Sequence, residues 1–369
     1  MAIHWTKEAQ SFLTPKRGQA KPPQLRYDAT KLFASIKTVM KTEAPKFVAG
    51  AKNKDLGDPA RAAQVIAFYK DFGPDSPLDP EVQGALVAMM RGWGDDARDV
   101  VRDLTRHWIV RGGLPFTLRA LHAYALLRVT HPKKTNVNVG FDFAVSGLRP
   151  EEGFSLWGLR ADGLRPDVAN AILAADDATY AEVVATVAEL RKKSKSPTLR
   201  CDLTSLVPTE TAWAKADLAT FFDQKENFRY FPPVRGLFPA LGRSKESRTL
   251  LDALAQNTFA IGTSVYDGVH ALEEDAIAPL VKAMKAYEKE PPRANMGLAP
   301  ARHIARALAL FDDDAAADAF AHWVGDSKSL GPIAVEYMQR FPAQAVRLLA
   351  PRLLEKTKGA EPAQHLLAR

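Results

Sequence analysis

The chain has 369 residues, 46% apolar and 25% charged, with a net charge of +7, which is the composition of a globular protein with a sizeable core and argues against disorder. No apolar run approaches the roughly 18–20 residues needed to span a bilayer, so no membrane partner is expected. The single cysteine, Cys201, excludes an intrachain disulfide and a cysteine metal cluster. Residues 1–15 lack the basic-then-apolar layout of a signal peptide, and the expectation is a cytoplasmic protein.

Charge is unevenly spread. Residues 1–54 carry +8 and the remainder −1, so the basic character belongs to the N-terminal segment. A body of balanced charge is a poor general polyanion binder. The N-terminal segment has two readings, a solvated basic arm or a contact surface for nucleic acid through Lys31, Lys37, Lys41 and Lys46.

Residues 1–27, with Pro15, Pro22 and Pro23, read as an extended basic arm. Asp28 is placed as an N-cap, followed by Leu32, Phe33, Ile36, Val39 and Met40 at helical spacing. Asp58-Pro59 and Pro80 each open a further helix. Two more are expected at about 95–110 and 115–129, separated by Gly112-Gly113 and stopped by His131-Pro132. This N-terminal helical region covers 28–133.

Between 134 and 166 the period changes. Val137, Val139, Phe141, Phe143 and Val145 alternate, predicting a short extended, β-like insertion in an otherwise all-α chain. A middle helical region, 167–258, contains helices at about 166–174 and 178–193. The run Arg191-Lys192-Lys193-Ser194-Lys195 complements the dipole at the second helix's C-terminus. Because no aromatic interleaves that run in sequence, a nucleic-acid patch is not expected there. Ser196–Pro208 reads as a linker, and Thr209–Asp223 as a helix. Phe228, Arg229, Tyr230 and Phe231 form an aromatic, proline-bounded loop followed by Arg235. Aromatic residues and Arg dominate binding hot spots, so these five residues are the candidate partner-binding set.

The last region, 259–369, is read as paired helices. Outer helices begin near 260, 298 and 330, and inner ones near 275, 314 and 343. Two tight joints each carry a Phe, Phe311 and Phe341, thirty residues apart. One helix pair cannot bury its apolar face alone, so stacked pairs share a core. The predicted fold is therefore an all-α, HEAT-like α-α superhelix, or solenoid. The runs Ala307–Leu354 and Ser196–Phe222 resemble the helical region of a bacterial family typified by the molybdate metabolism regulator. Members often carry a Trp-Gly-Arg domain, which this chain lacks: Trp157-Gly158-Leu159-Arg160 is not that tripeptide. The resemblance implies the helical fold and no agreed activity.

Chemical motifs are absent. The sequence has no phosphate loop, no Gly-x-Gly-x-x-Gly after a strand, no His-Glu-x-x-His and no Gly-x-Ser-x-Gly. No two of the eight His lie three or four residues apart, so no helix presents a two-His metal face. Glu151-Glu152, Glu273-Glu274-Asp275 and Asp312-Asp313-Asp314 sit at expected helix starts, where acids are favourable. No cofactor or metal and no catalytic residue is assigned. The leading expectation is a non-enzymatic scaffold that binds a protein partner. The alternatives are a nucleic-acid-binding protein using the N-terminal lysines, and an enzyme with a site at 135–166.

Overall fold

The computed structural model describes residues 3–38, 41, 67, 73, 76, 79–91, 97–130, 144–147, 164–223, 233–256, 262–289, 299–325, 330–354 and 364. It is mostly helical and divides into two compact units. One is Pro15–Phe221; the other joins Met1–Thr14 to Phe222–Arg369. The segments expected at 1–27, 28–133, 134–166, 167–258 and 259–369 are distributed over these two. The helix expected after Asp58 lies outside the described residues, as does most of the 134–166 insertion.

In the first unit, residues 29–38 form helix α2, where the Asp28 carboxylate accepts from the Lys31 amide at 3.0 Å. Helix α3 (Pro80–Arg91) packs on α4 (Ala97–Ala125). Gly84 lets the two approach: a Cβ there would lie 2.6 Å from the Tyr124 amide nitrogen. Gly113, at φ 74°, breaks α4 where Gly112-Gly113 separated two expected helices. Inside, the Trp108 indole donates to Gln83 Oε1 at 2.8 Å, both residues fully buried, so the indole N–H is satisfied within the apolar core.

The helix expected to reach residue 129 ends at Ala125. Leu127–Thr130 instead pairs antiparallel with Ala144–Gly147, as β1 and β2, with Val129 opposite Val145. Two β-branched residues, Val129 and Thr130, favour the extended backbone there.

Helices α5 (Leu164–Ala174), α6 (Asp177–Lys193), α7 (Pro197–Thr204) and α8 (Thr211–Asp223) follow. The expected linker Ser196–Pro208 is corrected to helix α7. The Ser196 hydroxyl accepts the Leu199 amide, and Pro197 occupies the first turn. Leu199, Leu203, Leu206 and Val207 bury into the core shared by α3 to α6, and that burial outweighs the run's polar composition. Cys201 is fully buried as well, and burial raises its thiol pKa well above the ordinary value, which makes it an unreactive packing residue.

The second unit contains α9 (Phe238–Leu241), α10 (Lys245–Gln256), α11 (Val265–Leu272), α12 (Ile277–Lys289), α13 (Ala299–Leu308), α14 (Asp314–Ala321), α15 (Gly331–Arg340) and α16 (Pro342–Leu354). Helices α11, α13 and α15 pack side by side in one layer, and α10, α12, α14 and α16 in a second against it. The joint residues plug the seam: Phe311 is fully buried and Phe341 nearly so. Asp313 caps α14 by accepting from the Ala315 and Ala316 amides. Contacts recur at a fixed spacing. Arg243 meets Glu273, Lys282 meets Asp252, Arg340 meets the Ala309 carbonyl, Gln344 meets Asp314 and Arg347 meets Asp318, with separations of 29 to 31 residues.

The N-terminal residues join this unit. Ile3 bridges to Phe311, and the His4 amide donates to the Leu310 carbonyl at 2.8 Å. Helix α1 (Lys7–Ser11) then leads across the first layer. Trp5 meets His270 edge-on, Phe12 stacks on Tyr266 at 5.3 Å, and Thr14 donates through its amide and hydroxyl to Asp267. Glu8 pairs with Arg306 at 2.6 Å. The start of the expected arm is thus docked, because its aromatics have apolar faces to cover.

Candidate functional site

A groove of about 840 Å³ lies on the second layer of helices. Its geometry starts at a turn. Glu273 adopts φ 54°, a left-handed conformation unusual for a residue with a side chain, and the 3-10 turn Glu273–Ala276 follows. The three acids of this turn converge on one guanidinium. Arg243 donates to Glu273 at 2.9 Å, to Glu274 at 2.6 Å and to Asp275 at 3.1 Å. Hydrogen bonding from Arg243 holds the Glu274 carboxyl below its usual range. The cluster expected as a helix-start feature is therefore a clamp that fixes where α12 begins.

From that start, helical spacing sets the floor. Ile277, Ala278, Val281 and Ala286 of α12 line the groove with Ala315 of α14. Ile277 and Val281 are 8% exposed, and Ala278, Ala286 and Ala315 are open to solvent. Small side chains keep the floor shallow and leave apolar surface uncovered. The rim is charged, and most of its charge is committed. Glu274 and Asp275 are held by Arg243, Lys282 pairs with Asp252 at 3.0 Å, and Asp313 caps α14. Arg248 and Lys285 line the rim, are exposed, and have no ion pair among the described residues. The groove therefore offers an apolar floor with two uncommitted cations.

The sequence-derived candidates fall elsewhere. Phe228, Arg229, Tyr230 and Phe231 lie outside the described residues. Arg235 is 5% exposed in the 3-10 turn Pro233–Gly236, with Gly262 against it. Its guanidinium faces the interior and is not a surface contact in this structure. Lys31 is exposed and reaches Asp28 at 3.9 Å; Lys37 and Lys41 are also exposed, and Lys46 lies outside the described residues. Arg235, Lys31, Lys37 and Lys41 are not among the residues that line the groove. Its own residues carried a recognisable pattern, since Ile277, Val281 and Leu280 mark an apolar face. The exposure of Ala278 and Ala286 depends on where the neighbouring helices stop, which spacing alone does not give.

No group of His, Cys, Asp and Glu suited to a metal ion occurs among the described residues, and no described helix is long and apolar enough to cross a membrane. Searches against protein families, curated proteins and solved structures found no match for this chain.

Proposed function

We propose that this protein is a HEAT-like helical-repeat scaffold that holds an acidic, amphipathic segment of a protein partner in the α10–α12–α14 groove. The observation that carries this reading is the combination of an uncovered apolar floor with two uncommitted cations on its rim. Apolar side chains of the partner would lie over Ala278, Val281 and Ala286, and its acids would meet Arg248 and Lys285. Helix-in-groove recognition uses this division of labour, with apolar burial supplying affinity and charge fixing register. The contacts spaced 29 to 31 residues apart support the repeat architecture.

The test is titration of the full chain with acidic amphipathic peptides. The double variant Ala278→Glu with Ala286→Glu places two carboxylates on exposed positions, so the fold should persist while binding falls at least tenfold. Arg248→Glu with Lys285→Glu should weaken binding by a similar factor and shift preference toward basic peptides. Equal binding by both variants and the parent chain would remove the proposal.

A further inference from the structure

A second concave surface lies in the unit Pro15–Phe221. The end of α6, the start of α7 and the first turn of α8 enclose a cleft of about 560 Å³, lined by Arg191, Lys192, Ser194, Lys195, Arg200 and Trp213 along with Ala188. Four of these side chains are cationic. Asp217, fully buried behind the cleft, pairs with two of them. Its carboxylate accepts from Arg191 at 2.7 Å and from the Thr204 hydroxyl at 2.6 Å, and it forms an ion pair with Arg200 at 2.9 Å. One negative charge is thus shared between two guanidinium groups. Arg191, Lys192 and Arg200 together outnumber that acid by two, an excess that survives the negative end of the α6 dipole.

The arrangement is built from inside. Arg191, only 10% exposed in its side chain, lies over the Trp213 ring at 4.6 Å, which fixes the guanidinium plane. Asp217 aligns Arg191 and Arg200 from below, so neither arginine must be ordered when a ligand arrives. Donors are also left over. Ser194 is 3% exposed. Its hydroxyl, the Arg191 Nε–H and the Arg200 Nε–H are buried and have no hydrogen-bond partner among the described residues. Buried donors are normally satisfied, and these three belong to side chains of residues that line the cleft.

We propose that this cleft binds a phosphate group, in a small phosphorylated ligand or as the free ion. A tetrahedral oxyanion accepts several hydrogen bonds at once and matches the planar fork of arginine. Lys192 and Lys195 sit at the mouth, where they add attraction and salt sensitivity. Asp217 positions the arginines without touching the ligand. The basic run alone did not point to this site, because the aromatic that completes it, Trp213, stands in a different helix.

The experiment is calorimetric titration of the full chain at low salt with inorganic phosphate, pyrophosphate, adenosine monophosphate and adenosine. Phosphate-bearing probes should bind and adenosine should not. A mononucleotide that binds more tightly than inorganic phosphate identifies the organic ester as the source; equal affinities identify the free ion. Lys192→Gln with Lys195→Gln should weaken binding about tenfold. Ser194→Ala should weaken it several-fold. Both leave the Asp217 network in place, and an unchanged circular-dichroism spectrum and melting curve confirm that the fold persists. Absence of binding by every phosphate probe in the millimolar range would overturn the proposal. So would affinities that ignore all these substitutions, or binding of a single-stranded oligonucleotide with none of any small phosphate.

Discussion

His122 shows how much one buried position contributes. It is 6% exposed, its Nε2 has no partner, and burial together with the nearby Lys193 lowers its pKa to about 4. The folded state therefore resists the proton that the unfolded chain takes up near pH 6.5. Below that pH the unfolded state binds more protons, so stability falls from about pH 6.5 to about pH 4 and then levels off. The full difference is on the order of 3 kcal/mol. His122→Gln should flatten this dependence, measured as urea midpoints of the variant and the parent chain between pH 7 and pH 4. Gly84 acts through space instead of charge. Gly84→Ala would set a Cβ 2.6 Å from the Tyr124 nitrogen and 2.9 Å from the Ala120 oxygen, backbone atoms that cannot swing away. The expected loss is about 1–3 kcal/mol, read from the same urea midpoints at pH 7. Single-residue features of this kind were partly legible in the chain. Asp28 as a cap and Gly112-Gly113 as a break follow from local chemistry, whereas the closeness of Gly84 to α4 depends on which helices pair.

At the scale of elements, the paired C-terminal helices were the most legible, because Phe311 and Phe341 repeat at the interval at which the side chains of successive helices meet. Helix α7 was hidden by its polar residues, although Ser196-Pro197 is a good helix start. The docking of residues 3–14 was hidden for a different reason. Trp5 and Phe12 have no periodic neighbours, and their partners Tyr266, His270 and His303 lie more than 250 residues away in the chain. This element is testable. Trp5→Ala with Phe12→Ala removes both aromatic anchors and should destabilise the C-terminal helices by roughly 2–4 kcal/mol. Amide exchange in α11 and α13 should accelerate accordingly. Unchanged exchange there would show that the segment contributes no stability.

At the scale of the whole molecule, composition located the excess positive charge in residues 1–54 but not the cationic cleft around Trp213. An average over the body hides local clusters: Arg191, Lys192, Lys195 and Arg200 are offset in the count by acids elsewhere. The groove on the second helical layer escaped for a related reason, since an uncovered floor is a property of neighbouring helix ends and not of one helix. Both surfaces are made by ordinary helices whose alanines, lysines and arginines carry no motif. Occupancy of the groove can be read from a map of backbone amide shifts on titrating the full chain with an acidic amphipathic peptide. Perturbations should concentrate in α10, α12 and the first turn of α14, and be lost in the Ala278→Glu, Ala286→Glu variant. Perturbations confined to other helices, or undiminished in that variant, would contradict binding in the groove.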